Sequence, residues 1–254
     1  MTKVSTWLLV ALVLVAAPVF SQDAQILVSA AASLTDVLTA LAPDAQEAVG
    51  AKIQLNFGAS GTLRKQIEEG APVDVFFSAA SADMDKLEGA GLIVAGTRRS
   101  LLSNSLVLVG APDAAPAASV AELRALLSAA RILAIGNPDS VPAGRYASEA
   151  LDRLGLAPLV KGKLVLAGNV REVLQYVQSG SAPLGIVFST DALSAGTGVR
   201  TIYAFGQDAV KTPVVYPIAV VSASKSRGAS TRFIDFLQAP AARVAFRKAG
   251  FTFP

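Results

Sequence analysis

Short apolar runs that end in a turn of small residues and lead into a helix recur along this chain. The runs at 26–30 and 52–57 are followed by the turns 31–33 and 58–61, and apolar residues then recur three and four positions apart. An apolar run followed by a helical period predicts a strand and then an amphipathic helix. Repetition of this unit predicts βαβ connections, and so an α/β protein whose parallel strands are covered by helices.

The units fall into two series, which predicts two α/β lobes. A second series begins with the apolar run 131–135, and the chain is expected to cross between the lobes near residue 109 and to return near 216. The return lies in a predicted strand at 214–221 that contains Pro217, and a proline inside a strand indicates an edge strand, a hinge or a bulge. The predicted domains are a leader at 1–21, lobe I at 22–108 and 217–254, and lobe II at 109–216.

The first residues differ from the rest of the chain. Lys3 is the one charged side chain in 1–22, and 7–17 is an unbroken apolar run. Such a segment is typical of a secretory signal peptide, here cut near Ser21, and predicts export to a bacterial periplasm. The alternative is a short membrane anchor, but a membrane span needs about 17–25 apolar residues. No cysteine follows the run, which excludes a lipid anchor at that place.

The residue types that are missing exclude several classes of function. The chain has no Cys and no His, which excludes disulfides, zinc fingers, iron–sulfur clusters, cysteine nucleophiles and histidine-based triads. Its formal net charge is +3 with scattered basic residues, a pattern that does not indicate nucleic-acid binding. The carboxylates that an acid–base enzyme would need have no spacing that brings them together. They are Asp74, Asp139, Glu172 and Asp191.

Four of the turns share a design that suits an anion, since each combines small or capping residues with the start of a helix. They lie at 31–33, 58–61, 141–144 and 168–170. Helix N-termini present unpaired N–H groups and a partial positive charge, and small residues let an anion approach them. Because ligands of open α/β sheets bind beyond the carboxyl ends of the strands, the turns predict a cleft of neutral donors between the lobes. The alternative is local capping, and Ser33 with Asp36 fits a capping box.

Several longer strings of the sequence resemble the periplasmic molybdate-binding proteins of ABC transporters. The strings are AAASLTDVL, FGASGTLRKQIEEGAPVDVFFSA, LLSNSLVLV, VPAGRYASEALDRLG, NVREVLQYVQSGSAPLGIVFSTDA and YPIAVV. They cover nearly all of the chain after the leader, in order. The resemblance implies a type II periplasmic-binding-protein fold, in which two α/β lobes joined by a two-strand hinge close on a ligand in the cleft between them.

The same resemblance implies the function. It implies a binding protein, not an enzyme, that captures molybdate or tungstate in the periplasm and delivers it to a membrane permease for import. No cofactor is implied, and no side chain ligates a metal directly, because molybdenum is bound as its oxyanion. A monomer that does not bind nucleic acid is expected. Another tetrahedral oxyanion such as sulfate is the first alternative, and an enzyme on the same fold is the second.

The binding contacts of that family fall on five positions of this sequence. Side-chain hydroxyls are implied at Ser33 and Ser60, and backbone N–H donors at Ala143 and Val170. The family's tyrosine falls on Phe188, which has no hydroxyl, so one donor is missing. A hydrogen bond to a charged group contributes roughly 1.5–3 kcal/mol, so the missing donor predicts weaker binding unless another group replaces it. The candidates for that group are Ser189, Thr190, Tyr146 or a water molecule.

Residues beside these contacts are expected to have structural roles. Asn169 stands where the family has Asp, just before the implied contact at Val170. Arg145 and Arg171 flank two of the implied contacts and are interpreted as solvated or structural side chains. Molybdate would then be held without a charged side chain.

Overall fold

The computed structural model describes residues 25–254, so the predicted signal peptide at 1–21 lies outside the described residues. Two five-stranded sheets organise this part of the chain, each with helices packed against it. This arrangement confirms the predicted α/β class with two lobes. Within residues 25–254, no helix combines the length and the apolar character that a membrane crossing needs.

Lobe I consists of the first sheet and the helices that pack on it. Its strands are β1 (Gln25–Ala31), β2 (Lys52–Gly58), β3 (Val75–Phe77), β4 (Arg99–Ser103) and β10 (Val215–Val220). Its helices are α1 (Thr35–Val49), α2 (Ser60–Glu68), α3 (Ser81–Gly89), α9 (Arg227–Gln238) and α10 (Pro240–Lys248). The strand order is β2-β1-β3-β10-β4, so the last strand of the chain lies inside the sheet that the first strands build.

Lobe II consists of the second sheet and its helices. Its strands are β5 (Leu106–Gly110), β6 (Leu133–Gly136), β7 (Leu164–Ala167), β8 (Leu184–Phe188) and β9 (Arg200–Ala204). Its helices are α4 (Val120–Ala129), α5 (Pro142–Arg153), α6 (Ala157–Val160), α7 (Val170–Gln178) and α8 (Ser189–Ser194). The strand order is β7-β6-β8-β5-β9, so the two lobes have the same kind of sheet.

Both sheets are mixed, because each contains antiparallel strands beside the parallel strands that the sequence predicts. Strand β1 is parallel to β2 and β3, and β6 is parallel to β7 and β8, as the repeated units predict. Strand β10 is antiparallel to β3 and β4, and β5 is antiparallel to β8 and β9. The reason is that β5 and β10 enter their sheets from the other lobe. They therefore begin at the cleft edge, where the parallel strands end.

Two segments of chain connect the lobes, one between β4 and β5 and one between β9 and β10. They are tied to each other, because the N–H of Asn104 in the first segment donates to the carbonyl oxygen of Val214 in the second at 3.0 Å. Paired crossings of this kind suit hinge bending, since few residues need to absorb a rotation of one lobe. The lobe limits set from the sequence, at 108/109 and 216/217, stay a prediction.

Pro217 lies in an interior strand. Strand β10 pairs with β3 on one side and with β4 on the other, and the ladder with β4 shifts register between Tyr216 and Pro217. The bulge interpretation is therefore confirmed, and the edge-strand interpretation is wrong. A bulge leaves one residue of the strand out of the ladder, so the missing N–H of proline is tolerated there.

Helix α7 shows how an apolar period fixes a helix end at the cleft. Val170, Val173, Leu174 and Val177 are buried, and they are the four positions that the helical spacing predicts for one apolar face. This face packs on β6 and β8. The side chain of Asn169 caps the helix by accepting the N–H groups of the second and third helical residues. The first turn of α7 is thereby held at the carboxyl ends of the strands.

Candidate functional site

A small cavity lies where the carboxyl ends of strands from both lobes face each other. Its volume is about 10 Å³. The structure brings all five sequence-predicted contact positions together on its wall, namely Ser33, Ser60, Ala143, Val170 and Phe188. Each of the five is at most 4% exposed. Among the described residues that line this cavity none carries a formal charge, so its polar groups are hydroxyls and backbone amides.

A wider groove of about 320 Å³ is also lined in part by Ser33. Charged side chains line it, among them Asp36, Arg171 and Lys248, together with the exposed side chain of Leu193. Of the five predicted contact positions it touches Ser33 alone. The smaller cavity, whose lining carries no formal charge and includes all five positions, is therefore the better candidate site for an anion.

Ser33 lies in a short 3₁₀ turn at Ala32–Leu34 between β1 and α1. The interpretation of Ser33 and Asp36 as a capping box is wrong, because the N-terminus of neither the 3₁₀ turn nor α1 has a side-chain cap. The Oγ of Ser33 instead lies 2.9 Å from the phenol oxygen of Tyr216. The 3₁₀ turn moves Ser33 out of the capping position, and the residue lines the cavity.

Ser60 is the first residue of α2 and is fully buried. Its Oγ accepts a hydrogen bond from the backbone N–H of Ala79 at 2.9 Å. An amide can only donate in such a bond, so the proton of the Ser60 hydroxyl is left for another acceptor. The hydroxyl is therefore held as a donor, in a residue that lines the cavity.

The second face of the cavity is built from the first turns of α5 and α7. Ala143 follows Pro142 in the first turn of α5, and Val170 is the first residue of α7. N–H groups in the first turn of a helix have no acceptor within the helix, and the partial positive charge of the helix end favours an anion nearby. Gly144 allows this turn to approach β6, because a Cβ there would lie 1.9 Å from the carbonyl oxygen of Gly136.

Phe188 is the last residue of β8 and lines the cavity. It makes edge-to-face contacts with the ring of Tyr146, at 6.4 Å between centroids, and with that of Tyr216, at 5.8 Å. Burial raises the pKa of Tyr146 to about 12, and it raises the pKa of Tyr216 well above the usual range. Both phenols are therefore neutral at physiological pH. The cavity wall at Phe188 is aromatic carbon.

The side chains expected to replace the missing phenol hydroxyl do not line the cavity. Two of them are hydrogen-bonded to Asn104 instead. The hydroxyl of Ser189 donates to the Oδ1 of Asn104 at 2.8 Å. Thr190 Oγ1 accepts from the amide nitrogen of the same Asn104 at 2.9 Å. Neither these residues nor Tyr146 belongs to the described lining of the cavity. The candidate replacements from the sequence thus have other roles in this structure.

The two lobes touch directly at the rim of the cavity. The N–H of Gly61, which follows Ser60, donates to the carbonyl oxygen of Ser140 in lobe II at 2.9 Å. A Cβ at Gly61 would lie 2.6 Å from that oxygen and 2.9 Å from the Cα of Ser140. The backbones can meet this closely only because residue 61 has no side chain.

Two ion pairs also cross the cleft, and both use the arginines that flank the contact turns. Nη2 of Arg171 lies 2.8 Å from Oδ2 of Asp36. Arg145 pairs with Asp83, a buried carboxylate that also accepts from Nε of Arg64 in lobe I at 3.2 Å. The arginines are therefore structural, as expected, and they hold lobe II against lobe I.

Arg171 is anchored in its own lobe by a second carboxylate. Its Nε donates to Oδ1 of Asp191 at 2.6 Å, and Asp191 is fully buried. Burial raises the pKa of Asp191 to about 6, and the charge of Arg171 opposes that rise. The pair keeps the guanidinium in place at the start of α7, where its other end reaches Asp36.

Sequence reasoning missed four residues that shape this site. Gly61 and Asp83 were not singled out, although the first lies in a turn that was, because only the fold brings each against lobe II. Tyr216 and Asn104 were also missed. Tyr216 begins the string YPIAVV and Asn104 lies in the string LLSNSLVLV, so both stand in strings that carry the resemblance. The remaining partners are too far away in sequence to be paired by spacing.

Comparisons with known proteins agree with this geometry. The model of the bacterial extracellular solute-binding proteins matches residues 26–252. The molybdate-binding protein ModA of Escherichia coli is 39% identical over 94% of this chain and 93% of its own length. The ModA of Haemophilus influenzae is 38% identical over 99% and 98%. The solved periplasmic molybdate-binding protein of Azotobacter vinelandii superposes with a TM-score of 0.79 at 24% identity, over 90% of this chain and 99% of that one.

Proposed function

Because this chain belongs to the bacterial extracellular solute-binding proteins and, within them, to the molybdate-binding family, we propose that it binds molybdate as the solute-binding component of an ABC transporter. It is a binding protein and not an enzyme. The observation that carries the proposal is the uncharged cavity between the lobes, which is lined by both serines and by the first turns of α5 and α7.

A cavity of this kind suits a fully deprotonated dianion. Such an ion offers only acceptors, so it needs donors on every side and no acceptor from the protein. Preorganised N–H and O–H dipoles replace the water molecules around the ion, and the ends of α2, α5 and α7 add partial positive charge. We assign the hydroxyls of Ser33 and Ser60 and the N–H groups of Ala143 and Val170 as donors. Phe188 forms an apolar part of the wall.

The finer parts of the proposal follow from the chemistry of the ligand and from the chain. Tungstate has the same charge and tetrahedral shape as molybdate, so it is proposed as a second ligand. Export through the leader at 1–21, which would place the protein in the periplasm, and delivery of the ion to a membrane permease are proposed as well. A monomer suffices for this role, because one chain supplies both faces of the cavity.

Thermal melting with four oxyanions tests the proposal. Residues 22–254 are melted with molybdate, tungstate, sulfate or phosphate at matched ionic strength. A ligand at about 1,000 times its dissociation constant stabilises the folded state by roughly 4 kcal/mol. Molybdate and tungstate are expected to raise the melting temperature, and sulfate and phosphate are not. A rise with sulfate alone would contradict the proposal and favour the sulfate-binding alternative.

Alanine substitutions of the two serines test whether these residues bind molybdate. Ser33→Ala and Ser60→Ala should each weaken molybdate binding by about 1.5–3 kcal/mol, because each removes a hydrogen bond to a charged ligand. This corresponds to a dissociation constant about ten to 150 times higher, which titration calorimetry measures directly. The matched control is Ser181→Ala at an exposed position of lobe II, which should bind as the wild type does. Unchanged affinity in both site variants would remove the assigned contacts.

A further inference from the structure

A buried chain of polar groups runs from the cavity to the hinge. It begins at Ser33, whose Oγ lies 2.9 Å from the phenol oxygen of Tyr216. The phenol oxygen lies 3.1 Å from Nδ2 of Asn104. Asn104 lies in the connection between β4 and β5, and Tyr216 is the second residue of β10, just after the other connection between the lobes.

The orientation of the Asn104 amide follows from its neighbours. The backbone N–H of Ser105 donates to Oδ1 of Asn104 at 2.9 Å, and the hydroxyl of Ser189 donates to the same oxygen at 2.8 Å. A backbone amide can only donate, so this atom is the oxygen and the other is the NH₂ group. Its two hydrogens are then directed to Thr190 Oγ1 and to the phenol oxygen of Tyr216.

The direction of the next bond follows in turn. Ser33 and Asn104 are the hydrogen-bond partners of the phenol among residues 25–254. If the phenol oxygen accepted from both, its own proton would be buried without an acceptor, which is costly. Tyr216 is fully buried, and burial raises its pKa well above the usual range, so the phenol keeps its proton. The phenol therefore accepts from Asn104 and donates to Ser33.

We propose that Tyr216 is a positioning residue that donates its phenol hydrogen bond to Ser33 and so fixes the Ser33 hydroxyl as a donor toward the bound oxyanion. The inference rests on the proposed function, since it assigns a direction to a contact with that ligand. Ser33 then matches Ser60, whose oxygen is occupied by the N–H of Ala79. Both hydroxyls have their oxygens occupied by donors from the protein, and both have one proton left for the cavity.

A fixed donor affects selectivity as well as affinity. A freely rotating hydroxyl can either donate to an oxyanion or accept a proton from it. A hydroxyl whose oxygen already accepts a hydrogen bond from the protein has its proton directed to the ligand, so it favours an ion that offers only acceptors over one that still carries a proton. Monohydrogen phosphate is such an ion, and molybdate at the same neutral pH is not. Loss of the Tyr216 phenol should therefore weaken molybdate binding and reduce the preference for molybdate over phosphate together.

A double-mutant cycle in the whole protein tests this relay, in which Tyr216 acts on the bound oxyanion through Ser33. Titration calorimetry measures molybdate and phosphate binding, at one pH, to the wild type, Tyr216→Phe, Ser33→Ala and the double variant. Tyr216→Phe should raise the dissociation constant for molybdate about tenfold, the effect of one hydrogen bond that acts on a charged ligand. In the Ser33→Ala background the same change should have an effect within about twofold. The ratio of molybdate to phosphate affinity should fall in Tyr216→Phe.

Ser60 provides the matched comparison. Its hydroxyl is held by a backbone amide and not by Tyr216, so Tyr216→Phe should keep its full effect in the Ser60→Ala background. Tyr203→Phe removes a phenol from β9, away from the described cavity lining, and should bind molybdate as the wild type does. Melting without ligand checks that each variant is folded.

Two outcomes would overturn the inference, and they differ from failure of the proposed function. If Tyr216→Phe weakens binding equally in the Ser33→Ala and Ser60→Ala backgrounds, the phenol acts through packing and the relay is wrong. If Tyr216→Phe binds molybdate as tightly as the wild type, the phenol does not position Ser33. Absence of molybdate binding by the wild-type protein would instead overturn the proposed function, and the relay with it.

Discussion

The two faces of the cavity are built from different parts of the polypeptide. Lobe I presents side chains, the hydroxyls of Ser33 and Ser60, each with its oxygen held by another group of the same lobe or the hinge. Lobe II presents backbone at Ala143 and Val170 and an aromatic wall at Phe188. A side-chain donor depends on which residue is present, whereas a backbone donor depends on where the helix begins. Substitutions therefore test the first face directly and the second face only through its geometry.

The difference also concerns how each face is held in place. Ser60 is fixed by the backbone of its own lobe, and Ser33 by a phenol on the hinge strand. The donors of lobe II are fixed by capping and packing, since Asn169 caps α7 and the apolar side of that helix is buried against its sheet. A ligand enclosed by both faces must therefore bring two rigid lobes together, and the contacts at the rim of the cavity become part of the binding energy.

The largest effect is expected where the two faces touch. Gly61→Ala would place a Cβ 2.6 Å from the carbonyl oxygen of Ser140, so the lobes could not approach as they do in this structure. Overpacking of this kind costs about 1–3 kcal/mol, and because the clash exists only when the lobes meet, it should appear in binding and not in folding. Calorimetry should show molybdate affinity reduced by a factor of about five to 150, with the melting temperature of the ligand-free protein unchanged or higher.

Gly89→Ala is the matched control, at a helical glycine of lobe I where the structure leaves room for a Cβ. It should leave molybdate binding unchanged. Gly144→Ala makes the opposite comparison, because its Cβ would clash with the backbone of Gly136 within lobe II, and it should lower stability without ligand. If Gly61→Ala binds normally, the lobes do not need the Gly61–Ser140 contact to enclose the ion.

The sequence predicted the side-chain face better than the interlobe contacts, and the reason is physical. Turns of small residues after strands are local features, so the positions of Ser33 and Ser60 at helix starts, and the apolar side of α7, could be predicted from spacing. The contact of Ser33 with Tyr216 joins residues 183 positions apart, and the pair of Arg145 with Asp83 joins residues 62 apart. Such contacts depend on how two sheets are placed, which no local pattern encodes.

A smaller effect is expected from giving the second face a side-chain donor. Phe188→Tyr adds a hydroxyl to a ring that already lines the cavity, and a new hydrogen bond to a charged ligand contributes roughly 1.5 kcal/mol at the lower end. Molybdate should then bind about tenfold more tightly, which a titration that compares the variant with the wild type would measure. Weaker binding would show that the cavity has no room for the oxygen, and that the aromatic wall is a steric part of the site.

The smallest effect on molybdate affinity is expected from removing either of the two ion pairs that join lobe I to lobe II outside the cavity. Arg145→Gln removes one of them and leaves Asp83 paired with Arg64, and Asp36→Asn removes the other and leaves Arg171 paired with Asp191. Partly exposed ion pairs contribute about 0–1 kcal/mol, and the buried Asp83 keeps Arg64 as a second partner, so each change should raise the dissociation constant less than about fivefold. Asp36→Asn should have the weaker effect, because the side chain of Asp36 is 60% exposed and that of Asp83 only 2%.

The two ion pairs should act on release of the ligand more than on its capture, since they form only when the lobes have met. Stopped-flow measurement of molybdate dissociation should show faster release in Arg145→Gln, and the difference from the wild type should shrink as salt is added, because salt screens partly exposed charges. A change confined to the association rate would contradict this, and it would mean that the arginines attract the anion toward the cleft. In that case lobe II would contribute charge as well as backbone donors, and the contrast between the two faces would no longer hold.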